Sequence, residues 1–256
     1  MTLQKLIEQW KKEESVAHIH GWDFSHIDGR YVETTDFGWD YKEIILRCLT
    51  PEKRLLDLDT GGGEFLLTLG HPPKNLEATE GYPPNVALCK NELLPLGIDF
   101  KEADCGKYLP FDDESFDIVI NRHGDFNEKE IFRVLKKDGI FITQPVGAEN
   151  DRELVDLLMP KKLPLPFPEQ YLSVISDKFQ KCGFEIVDGK EAFGSITFYD
   201  VAALVWFARI IEWEFPNFSV DTCLDGLLSA QKIIEEKGFV EGRTHRFLLV
   251  ARKSRE

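Results

Sequence analysis

Residues able to do chemistry concentrate in LLDLDTGGGEFLL, positions 55–67. An apolar strand runs into a glycine cluster and then a helix, making a tight turn where backbone can approach a ligand that no side chain would admit. Such a turn suits a nucleotide-like cofactor. A phosphate-cradling loop would need GxxxxGKS or GxxxxGKT, which is absent; a dinucleotide fingerprint would need its third glycine at position 66, which is Leu66. The remaining pattern is DxxxGxG, Asp57 to Gly63, with an acid closing the strand before the turn. Glu80, followed by Gly81, closes a second short strand, LEATE, where a carboxylate can accept two hydrogen bonds from ribose hydroxyls. Asp104 closes a third in EADCG, where an acceptor could meet an adenine amino group.

A fourth apolar stretch ends in NRHGDF. His123, two residues past Asn121, is the candidate general base, because a neutral imidazole near pH 7 can take a proton from a hydroxyl or ammonium. A histidine bonded to backbone to hold its loop is the competing reading. Arg122 could hold an acidic substrate group or form a surface ion pair. His18, His20 and His26 invite a metal, since HxH in extended chain puts both rings on one face. With no cysteine nearby and no defined third ligand, no metal site is assigned, and packing or lid contacts are expected of them.

The elements that must position these groups follow from the alternation between positions 50 and 145. Strands are predicted at 54–59, 76–80, 98–104, 115–123 and 140–146. Helices are predicted after the glycines, at 84–97 and at 127–137, where Ile131, Phe132, Val134 and Leu135 share a stripe and Gly139 marks the stop. Short strands alternating with helices imply βαβ units and an α/β fold around a parallel sheet. Beyond a Pro-rich connector at 161–168, a helix is predicted to end at Gly183, another to start from an Asp200 N-cap over 200–213, and a last strand at 244–253.

LLDLDTGGG, ATEGYPPNVALC, ADCGKYLPFDDESFDIVINRH and LKKDGIFITQPVG, covering roughly residues 50–147, together resemble the class I S-adenosylmethionine-dependent methyltransferases of the small-domain group. NRH after the fourth strand is also similar to a bacterial subgroup, which supplies no substrate. The resemblance implies a Rossmann-like, three-layer sandwich with a mostly parallel seven-stranded sheet, a helical N-terminal segment and a helical insertion near the last strands. It divides the chain into a lid segment (1–49), a cofactor-binding core (50–150) and a remainder that completes the core and covers substrate (151–256).

By that resemblance Asp57, Gly61 and Gly63 surround the methionine part of S-adenosylmethionine, Glu80 with Gly81 the ribose, and Asp104 with the Cys105 backbone the adenine. Asn121 would lie near the transferable methyl. Asp59 stands where the family usually has its first glycine, so it crowds the methionine carboxylate unless it points away or binds the ammonium. Trp22, Phe24, Tyr31, Phe37 and Trp39 would line the mouth or belong to the core. The aromatics of 191–218 (Phe193, Phe198, Tyr199, Trp206, Phe207, Trp213, Phe215 and Phe218) suggest an apolar or planar acceptor, or a helix packed on the sheet.

The formal net charge of −14 argues against sequence-independent binding to phosphate backbones, so a nucleic-acid partner is not expected. Asp112, Asp113 and Glu114 beside the fourth strand would favour a neutral or cationic acceptor near that rim. Five cysteines without CxxC pairs fit reduced thiols. No apolar run has signal-peptide or bilayer-spanning length, so a cytoplasmic protein without membrane insertion is expected. The functional expectation is an enzyme transferring a methyl group to a small molecule; RNA or protein methylation and a non-catalytic cofactor-binding module are the alternatives. Oligomeric state cannot be read.

Overall fold

The computed structural model describes residues 2–19, 21 and 23–254. In chain order its elements begin with α1 (Leu3–Val16), β1 (Tyr31–Glu33), α2 (Tyr41–Cys48), β2 (Leu55–Leu58), α3 (Glu64–Leu67), β3 (Leu76–Glu80), α4 (Pro83–Glu92) and β4 (Asp99–Glu102). They continue with β5 (Phe116–Arg122), α5 (Glu128–Val134), β6 (Leu135–Gln144), α6 (Arg152–Leu158), α7 (Leu172–Lys181), β7 (Phe184–Phe198), α8 (Val201–Ile210), α9 (Leu224–Lys237) and β8 (Val240–Lys253). The strands form one eight-stranded sheet in the order β1-β7-β8-β6-β5-β2-β3-β4.

Strands β4, β3, β2, β5 and β6 run parallel, while β8, β7 and β1 add on antiparallel. The sheet therefore has eight strands rather than seven. The extra one is β1, whose short pairing of Tyr31 with Phe198 and Glu33 with Ile196 leaves no period to read in sequence. The strand order reverses beside β2 and β5, and that switch point opens a crevice at the carboxyl ends of the parallel strands.

Alternation on the sheet splits the core. Leu55, Ile118, Ile120 and Ile142 face helices α2, α3 and α4. Leu56, Leu58, Val119 and Phe141 face α5 and α7. A third apolar body joins α1, α6, α8 and α9 to the far ends of β7 and β8, with Trp10 and Trp206 both about 1% exposed. Asp200 caps α8 as predicted, accepting from the Ala203 N–H at 2.8 Å, and Arg30 clamps the same carboxylate at 2.8 and 2.9 Å.

Two predicted boundaries move. The helix expected over 127–137 stops at Val134, because Leu135 is already extended and pairs with Phe116 at the start of β6. The segment 184–198, whose second half was read as part of an acceptor-pocket insertion, is one long strand paired with β8 along its length. The acidic run Asp112–Glu114 precedes β5, at the end of that strand opposite the crevice, with Asp113 paired to Arg133 at 2.9 Å. It places no negative charge at the crevice, which removes the ground for a cationic acceptor.

Candidate active site

The crevice holds a cavity of about 1090 Å³ bordered by the glycine turn, the ends of β3 and β5, residues 17–19, Gly21, Asp23 and the end of α8. Asp57, at the end of β2, is 4% exposed, and Thr60 Oγ1 donates to its Oδ2 at 2.6 Å. Burial pushes its carboxyl up to about 7; the Thr60 bond and the Arg122 charge pull down, while Asp59 and Glu80 push further up.

Glu80 lines the cavity and anchors the turn. Its Oε2 accepts the Gly61 N–H at 2.9 Å, and its Oε1 accepts the N–H groups of Gly81 and Tyr82, each at 2.8 Å. A carboxylate offers about four acceptor sites; these backbone donors take three, and Asn85 Nδ2 donates to Oε2 over a long 3.4 Å, the one contact a ribose hydroxyl would displace. The two ribose bonds expected from sequence reduce to one.

Gly61 has φ +68 and only the flexible end of Glu64 within 4 Å of where a Cβ would stand, so its backbone is bare toward the cavity. Asp59 keeps the turn with φ +52, a left-handed conformation that Asp tolerates better than most side chains. It points partly away from the cavity: Asp125 N–H donates to its Oδ2 at 3.0 Å, and Gly124 packs on its Cβ. Burial raises its carboxyl to about 6, opposed by a Cys105 hydrogen bond and assisted by Glu80.

Other predicted site residues lie outside the cavity lining. Gly63 needs its missing side chain for packing, since a Cβ would stand 2.6 Å from Leu93, and Gly81 for a close approach to the Ala103 carbonyl. The Asp104 side chain is 56% exposed and paired with Lys107 at 2.7 Å, turned from the adenine role. Cys105 is buried with its Sγ 3.1 Å from Thr79 Oγ1. Asn121 is fully buried: its Nδ2 donates to the Leu58 carbonyl at 3.2 Å and its Oδ1 accepts from Thr143 at 3.2 Å. It ties the ends of β2, β5 and β6 together beneath the cavity floor.

His123 does line the cavity, in a left-handed conformation with φ +67. Burial first, then the charges of Arg246 and Arg122, hold its imidazole well below 6.5, so it is neutral at pH 7. Arg122 lies over the Phe65 ring at 5.3 Å, and both line the cavity.

Sequence reasoning missed Tyr82, Asn85, Glu64 and Arg209, which also border the cavity. Tyr82 follows Glu80 and is 54% exposed, an aromatic at a strand end that could have been flagged. Of the aromatics in 191–218, Trp213 lines the cavity, whereas Phe198, Trp206, Phe207, Phe215 and Phe218 are core. Phe24 packs in the same core and Tyr31 stacks on Phe198. His26 is bound to Glu13 at 2.8 Å, His18 borders the cavity, and His20 and Trp22 lie outside the described residues.

An open parallel sheet with a glycine turn and carboxylates at its switch point is the arrangement in which α/β proteins hold nucleotide cofactors. Residues 56–143 match the family described as methyltransferase domain. Over that segment the chain carries a methyltransferase domain, and S-adenosylmethionine is the cofactor that the match implies. It is 35% identical over 99 residues to the probable phthiotriol/phenolphthiotriol dimycocerosates methyltransferase 2 of Mycobacterium ulcerans (strain Agy99), covering 35% of this chain and 38% of that protein. It is 34% identical over 108 residues to the phthiotriol/phenolphthiotriol dimycocerosates methyltransferase of Mycobacterium tuberculosis (strain ATCC 25618 / H37Rv), covering 39% and 40%. The match thus spans well under half of these relatives. The fold is shared with a Deinococcus radiodurans R1 protein (TM-score 0.57, 15% identity, 98% of each chain). It is shared too with the Bacillus subtilis YcgJ protein (TM-score 0.56, 17% identity, 84% of this chain and 99% of that one).

Proposed function

We propose that this protein transfers a methyl group from S-adenosylmethionine to a small-molecule acceptor. The observation that carries the reading is the cavity of about 1090 Å³, which joins the Asp57–Glu80 acids and the bare Gly61 turn to His123. It exceeds the roughly 300–1,000 Å³ of a single drug-sized ligand site, leaving room for an acceptor beside the cofactor.

The residues fit the cofactor at its methionine and ribose parts. Asp57 and Asp59 border the space for an ammonium and sulfonium with carboxyls raised to about 7 and about 6, and an arriving cation favours their ionised forms. Glu80 Oε2 takes a ribose hydroxyl, and Tyr82 offers a ring at the rim. The cofactor supplies an electrophilic methyl that passes in line to the acceptor, the bonding pair staying on sulfur. Alignment and exclusion of water are the work left to the protein. His123, neutral at pH 7, takes the proton of a hydroxyl or ammonium acceptor.

The mycobacterial relatives are named for phthiotriol and phenolphthiotriol dimycocerosates, acceptors that are not polymers of nucleotides or amino acids. The net charge of −14 points the same way, away from RNA. Incubation of the protein with methyl-labelled cofactor and, separately, a metabolite extract, total RNA and denatured cell protein tests this. Label is expected in the metabolite fraction; label confined to RNA or protein would overturn the reading.

A further inference from the structure

S-adenosylmethionine carries three charges at its methionine end: a sulfonium, an ammonium, and the α-carboxylate that shares the ammonium's carbon. The acids of the cavity suit the two cations. The carboxylate is the group they would repel, because Asp23, Asp57, Asp59, Glu64, Glu80 and Glu212 all line the same space. It needs a cation of its own.

Two arginines line the cavity among the described residues, Arg122 and Arg209. Arg209, in the last turn of α8, is already paired with Glu212. Arg122 is exposed and forms no ion pair among the described residues. The sheet sets its place: Asn121 pairs with Leu58 in the parallel ladder, so Arg122 follows one position on, level with Asp59 where the turn begins. Phe65, in the first turn of α3, carries the guanidinium over its ring at 5.3 Å and packs on Tyr41 at 5.4 Å. Tyr41 Oη in turn donates to the carbonyls of Asn121 at 2.8 Å and Ile142 at 3.2 Å, which ties the stack to the ends of β5 and β6. The Arg122 charge reaches both chemical groups of the cavity, favouring the ionised Asp57 and disfavouring a proton on His123.

We propose that Arg122 binds the α-carboxylate of the cofactor, so that the two charges on one carbon are read as a pair, the ammonium by Asp57 and Asp59 and the carboxylate by the guanidinium. The assignment rests on the methyltransferase reading and deepens its cofactor site. A planar guanidinium meets a carboxylate through two N–H groups at once, a contact that lysine matches in charge alone. It also offsets Asp59, the acid that stands at the start of the turn.

Calorimetry with two ligands tests it: S-adenosylhomocysteine, and its decarboxylated analogue, which keeps the adenosine, the sulfur and the ammonium. The ratio of their affinities isolates the carboxylate. In Arg122→Gln the preference for S-adenosylhomocysteine over the analogue is expected to fall by roughly tenfold or more, with the analogue bound as in the parent or more tightly. Arg122→Lys should keep part of the preference, and Arg209→Gln should keep all of it. A merely structural role would weaken both ligands alike, so an unchanged ratio in Arg122→Gln, or a fall in Arg209→Gln instead, would overturn the proposal while the cofactor site stands. If the glutamine variant does not fold, the same ratio in Arg122→Lys decides. Failure of S-adenosylhomocysteine to bind the folded parent protein would overturn the proposal and the methyltransferase reading together.

Discussion

The cofactor cavity and a second one of about 710 Å³, which meet at Arg122 and Phe65, differ in charge and in origin. The first has Asp57, Asp59, Glu64 and Glu80 around a bare turn, contributed mainly by consecutive strand-turn-helix units. The second sets Lys42, Arg47, Arg122 and Lys190 against Asp36, Asp40 and Glu43 beside the Trp39 indole, gathered from three separate stretches of the chain. The acidic lining of the first suits a cationic cofactor, while the charges of the second nearly balance. Net charge describes neither chamber.

The largest effect that would sharpen this division is on the base. His123→Ala should lower turnover of a hydroxyl acceptor by roughly a hundredfold or more, with S-adenosylhomocysteine affinity within about twofold of the parent by calorimetry. Equal turnover would return His123 to a loop-holding role. Next comes Glu80→Ala, which removes a ribose acceptor and also strands the Gly61, Gly81 and Tyr82 N–H groups. Cofactor binding should weaken by roughly 1.5–3 kcal/mol, and unchanged affinity would exclude the ribose contact.

Smaller effects follow from titration of the acidic chamber. Asp57 and Asp59 have carboxyls raised to about 7 and about 6, so in the unliganded protein their contribution to stability is present at low pH and is lost as pH rises through those values. His123 acts in the reverse direction, since its imidazole is lowered and its stabilising contribution grows as pH rises toward 6.5. Between about pH 6.5 and 8 the Asp57 loss is joined by that of Glu214, whose buried carboxyl is also raised to about 7. Thermal denaturation in that window should show a decline of a few degrees, and Asp57→Asn should reduce it by roughly 2–3 °C. A cation entering the chamber favours the ionised acids, so affinity for S-adenosylmethionine should rise over about pH 6 to 8, and calorimetry should show a shallower rise in Asp59→Asn. A flat profile in the parent would mean these acids do not face the cofactor.

The first chamber was legible because its acids end strands that the alternation of apolar runs already marks, so Asp57, Glu80, Gly61 and His123 fall at one crevice. What spacing could not supply was side-chain direction. Asp104 ends its strand yet turns to Lys107, and Asn121 turns inward to bind Leu58 and Thr143. Strand β7 was obscured by Asp188, Lys190 and Glu191, polar residues tolerated because much of that strand is exposed. The second chamber was illegible for a different reason: no local pattern links Trp39, Arg122, Gln144 and Lys190 until β6 and β7 are placed in the sheet. Asp59 was read as a threat to the turn, and its left-handed backbone and its bond from Asp125 show how the turn absorbs it.

The central claim is that the acidic chamber is the cofactor site and the second one is not. Titration of S-adenosylhomocysteine into the parent protein, Glu80→Gln and Lys190→Gln by calorimetry tests it most directly. The account predicts one site per chain in the parent, a loss of roughly tenfold or more in Glu80→Gln, and no change in Lys190→Gln. Weakening by Lys190→Gln with Glu80→Gln unaffected would contradict it.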